Sequence, residues 1–278
     1  MNRLPNAIFI GAPKTGSTWL HRVLEVHPDC YTLPSKGADF FDKNWQRGIG
    51  WYSSRFGRSS DETIAIDISH DYLYGRAVPR RLEQVVPEAR LLAFVREPID
   101  RLESEIQFAR RSGYRRQRLD NILETLVRNS HYAMALRHWQ DALAAQRLRV
   151  FFYDDLQVSA RDFWSAISTY LGISSQPGLR VAEERHLPAS AAHFPRATWH
   201  LRRGGHWLRD RGAGPVVDRL KRSHSLDRVM FRSVNSADYF HFDEGYRESL
   251  VNALRPDVHE LDAMLDGAVA QRWPVYWS

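Results

Sequence analysis

The chain has 278 residues, 43% of them hydrophobic and nine of them tryptophan, so it can bury a sizeable core as one large α/β domain or two small ones. A formal net charge of +6 and a pI near 9.6 favour an anionic ligand without identifying it. The single cysteine, Cys30, excludes a disulfide framework and any multi-cysteine metal site, and no stretch approaches the ~20 apolar residues of a membrane span, so a soluble, cytoplasmic protein is expected.

The first predicted strand, Ala7 to Ile10, runs into Gly11-Ala12-Pro13-Lys14-Thr15-Gly16-Ser17-Thr18 and then into a helix with Trp19, Leu20, Val23 and Leu24 on one stripe. His27-Pro28-Asp29 ends that helix, and Cys30 to Leu33 reads as a short second strand. An irregular segment from Pro34 to Asp42 follows, and Ile49, Tyr52 and Phe56 have the spacing of a short helix. Thr63 to Asp67 and Leu91 to Val95 are short apolar runs of the kind that form buried parallel strands. Between them Ala77 to Val86 reads as a helix stopped by Pro87. Pro98 suits the first position of the next helix, which carries Ile99, Leu102 and Ile106 inward. Tyr132, Leu136, Trp139 and Leu143 mark a further helix. Leu148 to Phe152 is another strand, followed by a helix with Phe163, Trp164, Ile167 and Leu171. Strands alternating with helices imply βαβ units and a parallel sheet. The pattern weakens from Pro177 to Ser236, and a helical pair near Tyr246 to Leu254 and Val258 to Leu265 closes the chain. No repeat or long linker divides residues 1–278, so one domain is expected.

Two stretches carry chemistry. Gly11 and Gly16 have the spacing of a phosphate-binding loop, with Ser17 where the usual pattern has its lysine and Lys14 in mid-loop instead. A glycine turn feeding a helix N-terminus converges backbone N–H groups and the helix dipole on one point, which makes an anion cradle. The second stretch is Arg96-Glu97-Pro98-Ile99-Asp100-Arg101-Leu102-Glu103-Ser104. Arg96 ends a predicted parallel strand, where α/β sheets place their ligand sites. Ser104 follows about two turns into the next helix, and an arginine fork with a hydroxyl can share one phosphate.

With both stretches present the chain resembles the sulfotransferases that use 3′-phosphoadenosine 5′-phosphosulfate (PAPS). Residues Pro13 to Thr18 resemble the family's 5′-phosphosulfate loop, and Arg96 with Ser104 its 3′-phosphate pair. His27-Pro28-Asp29, Phe40-Phe41-Asp42, Gly50-Trp51-Tyr52 and Ser69-His70-Asp71-Tyr72 are similar to the branch that holds heparan-type glycan sulfotransferases and bacterial relatives. The resemblance covers residues 5 to 175 well and the remainder loosely. It implies a P-loop-containing parallel sheet flanked by helices, with Lys14, Thr15, Gly16, Ser17, Thr18, Arg96 and Ser104 as donor-binding residues and 3′,5′-ADP (PAP) as product. The acceptor would be a hydroxyl of a carbohydrate or small-molecule natural product. Lys14 would meet the charge that develops on the leaving phosphate, and no metal ion is expected.

The acceptor hydroxyl needs a general base. Aligned on Phe40-Phe41, Gly37 stands where the glycan-modifying relatives carry a glutamate, and Ile68 stands near their second-region lysine. Asp39, His70 and Lys36 are the candidates. Residues 110–118 hold five arginines and one tyrosine and read either as a solvated basic loop or as an anion-binding patch. Two other readings stay open: a P-loop nucleotide kinase, and an arginine-rich nucleic-acid-binding protein that retains a phosphate loop. The sulfotransferase reading expects no nucleic-acid partner.

Overall fold

The computed structural model describes residues 3–34, 36–57, 62–111, 123–143, 147–183, 190–192, 231–233 and 239–278. They divide into two compact units. The first comprises residues 1–101, 129–185 and 248–278, and the second residues 102–128 and 186–247.

The first unit is built on a five-stranded sheet of β1 (Ala7–Gly11), β2 (Cys30–Thr32), β3 (Ile64–Ile68), β4 (Arg90–Val95) and β5 (Leu148–Phe152). All neighbours are parallel, in the order β2-β3-β1-β4-β5. Side chains alternate across a strand, so Phe9, Ile64, Ile66, Ile68, Leu92, Phe94 and Phe151 share one face. That face packs on α1 (Ser17–Glu25), α7 (Ala160–Leu171) and α8 (Gln176–Glu183) through Trp19, Leu20, Val23, Phe163, Trp164 and Ala182. The chain leaves β1 toward β2 and β3 on one side and reaches β4 on the other. The C-terminal end of β1 is therefore a topological switch point, the crevice where open α/β sheets take ligands.

The remaining helices of this unit are α2 (Gly48–Arg55), α3 (Val78–Val85), the start of α4 (Pro98–Arg111), α5 (Tyr132–Ala142), α6 (Tyr153–Val158) and most of α9 (Glu244–Met264). Pro98 opens α4 as expected. Glu97 caps it, accepting from the N–H groups of Ile99 at 3.1 Å and Asp100 at 2.6 Å. The helix expected around Phe163 is α7, and a separate short helix, α6, precedes it. Ser159 breaks the two, its extended backbone letting Oγ accept from the Asp162 N–H at 3.2 Å as an N-cap.

Near the C-terminus the expected helical pair is instead one helix, α9, with Pro256 inside it. Proline removes one helical hydrogen bond. Leu250, Val251 and Leu254 are buried before it and Val258 and Leu261 after it, and that continuous apolar stripe carries the helix through. Asp257 adds a tie by accepting from the N–H groups of Ala133 at 3.0 Å and Met134 at 3.1 Å at the start of α5. Of the aromatic C-terminus, Trp273 and Tyr276 are buried, and the exposed Trp277 stacks on His259.

The second unit holds the rest of α4, an antiparallel pair β6 (Ser190–Ala192) and β7 (Phe231–Ser233), and residues 239–247. Buried Glu103 on α4 accepts from His241 Nδ1 at 2.7 Å, the Phe242 N–H at 3.1 Å and Arg247 Nη1 at 3.2 Å. Arg110 lies over the Phe240 ring. Arg110 and Arg247 thus meet partners within this unit. Residues 112–118 of the basic stretch and Arg202, Arg203 and Arg209 lie outside the described residues. Among the described residues no helix is long and apolar enough to cross a membrane.

Candidate active site

The loop between β1 and α1 is held in an unusual backbone course. Gly11 has φ 136° and Gly16 φ 103°, and Lys14 takes the left-handed region at φ 67° without being glycine. A non-glycine residue there costs of order 1–3 kcal/mol and persists only where its surroundings enforce it. The enforcement is visible. The Ala12 N–H donates to Phe94 O on β4 at 2.8 Å, and the buried Thr15 hydroxyl donates to Ala12 O at 2.6 Å, which closes the turn on itself. A Cβ on Gly11 would come within 2.5 Å of His70 O, so only glycine fits between β1 and the chain after β3. No side chain caps α1, so its first-turn N–H groups face the loop.

Arg96 leaves the end of β4, the strand paired with β1 as far as Gly11↔Ala93. Its guanidinium lies 4.9 Å from the centroid of the Tyr153 ring. The same ring stands 3.4 Å from where a Cβ on Gly16 would be. Tyr153, the first residue of α6, therefore joins the loop and Arg96, two stretches 80 residues apart, into one surface. Sequence reasoning missed it, because nothing local distinguishes a tyrosine after an apolar strand. Ser104 lies on the part of α4 that belongs to the second unit.

The irregular segment after β2 approaches the loop from the other side. Lys36 Nζ donates to Thr18 Oγ1 at 2.5 Å. Lys36 has φ 71° and Asp39 φ 46°, two more non-glycine residues in the left-handed region. Lys43 Nζ is 3.7 Å from Asp39, 3.9 Å from Asp42 and 2.6 Å from Asp71, and His70 Nε2 is 3.7 Å from Asp71. The structure thus brings Asp39 and His70 to one ionic cluster and Lys36 to the phosphate loop. Burial pushes the Asp42 carboxyl up. Burial also acts upward on Asp71, but the His70 and Lys43 charges outweigh it and hold that carboxyl low.

Gly37 has no room for a side chain. A Cβ there would lie 2.4 Å from Ser69 Oγ and 2.6 Å from Ile68 O. The position that aligns with the relatives' glutamate is thus closed to any side chain on this backbone.

Beneath this segment sits Asp67, fully buried on β3. Its Oδ1 accepts from the Ala38 N–H at 3.0 Å and Ser69 Oγ at 2.7 Å, and its Oδ2 from Tyr52 OH at 2.9 Å and Tyr72 OH at 3.1 Å. Burial, the largest influence, pushes its carboxyl up to about 6 against the pull of those hydrogen bonds. The same burial, with the Asp67 charge alongside, holds the Tyr52 and Tyr72 phenols well above their usual range. Among the described residues no group of three or more His, Cys, Asp or Glu side chains is arranged to hold a metal ion.

A parallel sheet with a glycine loop at its switch point, an uncapped helix N-terminus behind it, Lys14 in the loop, Lys36 at it and Arg96 at the next strand end is an α/β arrangement suited to an anionic ligand. The match to known families is narrower. Residues 4–187 match the model of the sulfotransferase domain, and the chain belongs to that family. It is 35% identical over 103 residues to heparan sulfate glucosamine 3-O-sulfotransferase 6 of Homo sapiens, a segment covering 37% of this chain and 30% of that protein. It is 25% identical over 195 residues, 63% of this chain and 23% of the relative, to bifunctional heparan sulfate N-deacetylase/N-sulfotransferase 1 of Caenorhabditis elegans. The matches therefore span less than a third of these relatives' length. In fold, the chain is similar to the crystal structure of a sulfotransferase from Alicyclobacillus acidocaldarius, with a TM-score of 0.65, 18% identity, and 95% of this chain and 96% of that one covered.

Proposed function

We propose that this chain transfers a sulfo group from PAPS to a hydroxyl of a carbohydrate or small-molecule acceptor, and that residues 1–278 act as one sulfotransferase domain. The observation that carries the reading is the convergence on Tyr153 of a strained phosphate loop and the strand-end Arg96. Two anion-binding elements a short distance apart suit a nucleotide bearing phosphates at both ends. The loop also suits such a ligand, because Gly11 and Gly16 supply the positive φ that turns the chain and no side chain caps α1, so the first-turn N–H groups are left for an anion.

In this reading the N–H groups from Thr15 to Thr18 and the Lys14 ammonium hold the 5′-phosphosulfate, and Arg96, with Ser104 by its motif spacing, holds the 3′-phosphate. PAPS supplies the sulfo group, and PAP is the product. Charge grows on the bridging phosphate oxygen as the sulfur–oxygen bond breaks, so a fixed ammonium beside it stabilises the transition state more than the ground state. Lys36, donating to Thr18 at the loop, suits the same electrostatic role better than that of a base. Asp39 and His70 are the groups that would take the acceptor's proton, each held beside Lys43 or Asp71. The glycan acceptors named for the relatives favour a carbohydrate here.

The test compares thermal stabilisation by PAP without metal, by ATP with Mg²⁺, and by an oligonucleotide. Stabilisation follows RT ln(1 + [L]/Kd). Protection by PAP alone is the expected result, and protection only by ATP with Mg²⁺ overturns the proposal. Mass spectrometry of acceptors incubated with enzyme and PAPS then identifies the substrate by the gain of one sulfo group.

A further inference from the structure

The carboxylate of Asp67 does more than fill a buried site. Four consecutive backbone N–H groups, those of residues 38, 39, 40 and 41, are all tied to it. Ala38 donates to Asp67 Oδ1 directly at 3.0 Å. Asp39 donates to Ser69 Oγ at 3.0 Å, and that hydroxyl donates in turn to Asp67 Oδ1 at 2.7 Å. Phe40 and Phe41 donate to Tyr72 OH at 2.6 and 3.2 Å, and that phenol donates to Asp67 Oδ2. A hydroxyl that donates to an ionised carboxylate becomes a better acceptor, so each relay is stronger than a neutral hydrogen bond. The segment so gripped contains Asp39 in a left-handed conformation and begins one residue after Gly37, which packs on Ser69 and Ile68.

We propose that Asp67 is a positioning residue, its carboxylate acting through Ser69 and Tyr72 to set the Lys36–Phe41 segment beside the phosphate loop. The inference rests on the sulfotransferase reading only for what that segment does once placed. Lys36 reaches Thr18 from a backbone bridged to Leu33, its N–H donating to Leu33 O at 3.0 Å, whereas Asp39 faces Lys43 from a stretch whose N–H groups no helix or sheet ladder holds. Without the clamp, Asp39 would relax from its left-handed conformation toward the ordinary regions, and the segment beside the loop would shift with it. Positioning errors near 1 Å at a reacting centre cost of order a hundredfold in rate.

Tyr52 supplies the discriminating comparison. Its ring is fully buried like that of Tyr72, and its O–H donates to the same Asp67 oxygen, yet it receives none of the four N–H groups. Tyr72→Phe, Tyr52→Phe and Asp67→Asn are compared in three measurements. These are PAP affinity, amide hydrogen exchange across residues 36–44, and turnover at saturating PAPS, read as PAP release with a glucosamine oligosaccharide or a simple phenol as acceptor. Tyr72→Phe and Asp67→Asn are expected to lower turnover by about tenfold or more and speed exchange across 36–44 by a similar factor, with PAP affinity within about twofold of wild type. Tyr52→Phe should change turnover less than about threefold and leave that exchange alone. The double variant Asp67→Asn/Tyr72→Phe should be no more than about twofold slower than Asp67→Asn, because both act through one chain of bonds. Equal losses in Tyr52→Phe and Tyr72→Phe, or a wild-type rate in Tyr72→Phe, would overturn the inference. A wild-type protein that neither binds PAP nor releases it from PAPS would instead sink the sulfotransferase reading. The exchange comparison would then decide the clamp by itself, and equal exchange in the two tyrosine variants would remove it.

Discussion

Gly37→Ala tests the steric account of why the segment carries no glutamate. An added Cβ would lie 2.4 Å from Ser69 Oγ, 2.6 Å from Ile68 O and 2.9 Å from Ile68 C. Two of the three atoms are backbone of a central buried strand, so the strain falls on the Ser69 hydroxyl and the Gly37 backbone. Overpacking of this kind costs about 1–3 kcal/mol. Displacing Ser69 Oγ strands the Asp39 N–H and removes one donor from buried Asp67, for about 1–3 kcal/mol more. The stiffer unfolded chain returns about 0.4–1 kcal/mol. The net expectation is a loss of about 1–5 kcal/mol in urea unfolding, with weakened protection of amides 38–41. Gly37→Glu should be at least as damaging and should add no activity, because the carboxylate cannot occupy a place its own Cβ cannot enter. A Gly37→Ala protein within about 0.5 kcal/mol of wild type would refute the argument.

The other expectations concern charge and capping. Arg96→Ala should weaken PAP binding by about tenfold to a hundredfold in titration calorimetry, the worth of a charge-assisted contact, whereas Lys14→Ala should chiefly lower turnover at saturating PAPS. Equal PAP affinity in Arg96→Ala and wild type would remove Arg96 from the donor site. Asp67 titrates near 6 in the folded chain and near 3.8 when exposed, so folding binds its proton more tightly. Its contribution to stability is therefore full below pH ~4, falls by about 3 kcal/mol as pH rises to ~6, and is flat above. The stability difference between wild type and Asp67→Asn, followed by urea unfolding from pH 4 to 7, should shift by that order against the wild type. Tyr276→Phe should cost about 1–3 kcal/mol, since its phenol donates at 2.6 Å to buried Glu97, the residue that caps α4. A loss below about 0.3 kcal/mol would show that this bond contributes nothing.

The strands, most helices and the phosphate loop were legible in the chain because each is a local pattern. A short apolar run reads as a strand, a 3.6-residue stripe as a helix, and two glycines around a lysine as a turn that a side chain would obstruct. Gly37 could be read as a missing base by alignment on Phe40-Phe41, but the reason for its absence, contact with Ser69 and Ile68, lies thirty residues away. The single helix across Pro256 escaped the sequence because proline's local cost is visible and the buried stripe that outweighs it is not.

What the sequence determined alone was a parallel α/β sheet with a glycine turn between its first strand and first helix, and the placing of Lys14 in that turn and Arg96 at a strand end. Tertiary structure decided what those stretches face. Asp67 looked like an ordinary aspartate at the end of an apolar strand, because hydrogen-bond partners 5, 15 and 29 residues distant leave no mark on its neighbours. Its meaning comes from burial, which makes an unpaired carboxylate costly and so draws Tyr52, Ser69, Tyr72 and the 38–41 backbone around it. Tyr153 likewise acquires its place only when β5 lies beside β4 and delivers the ring between Gly16 and Arg96.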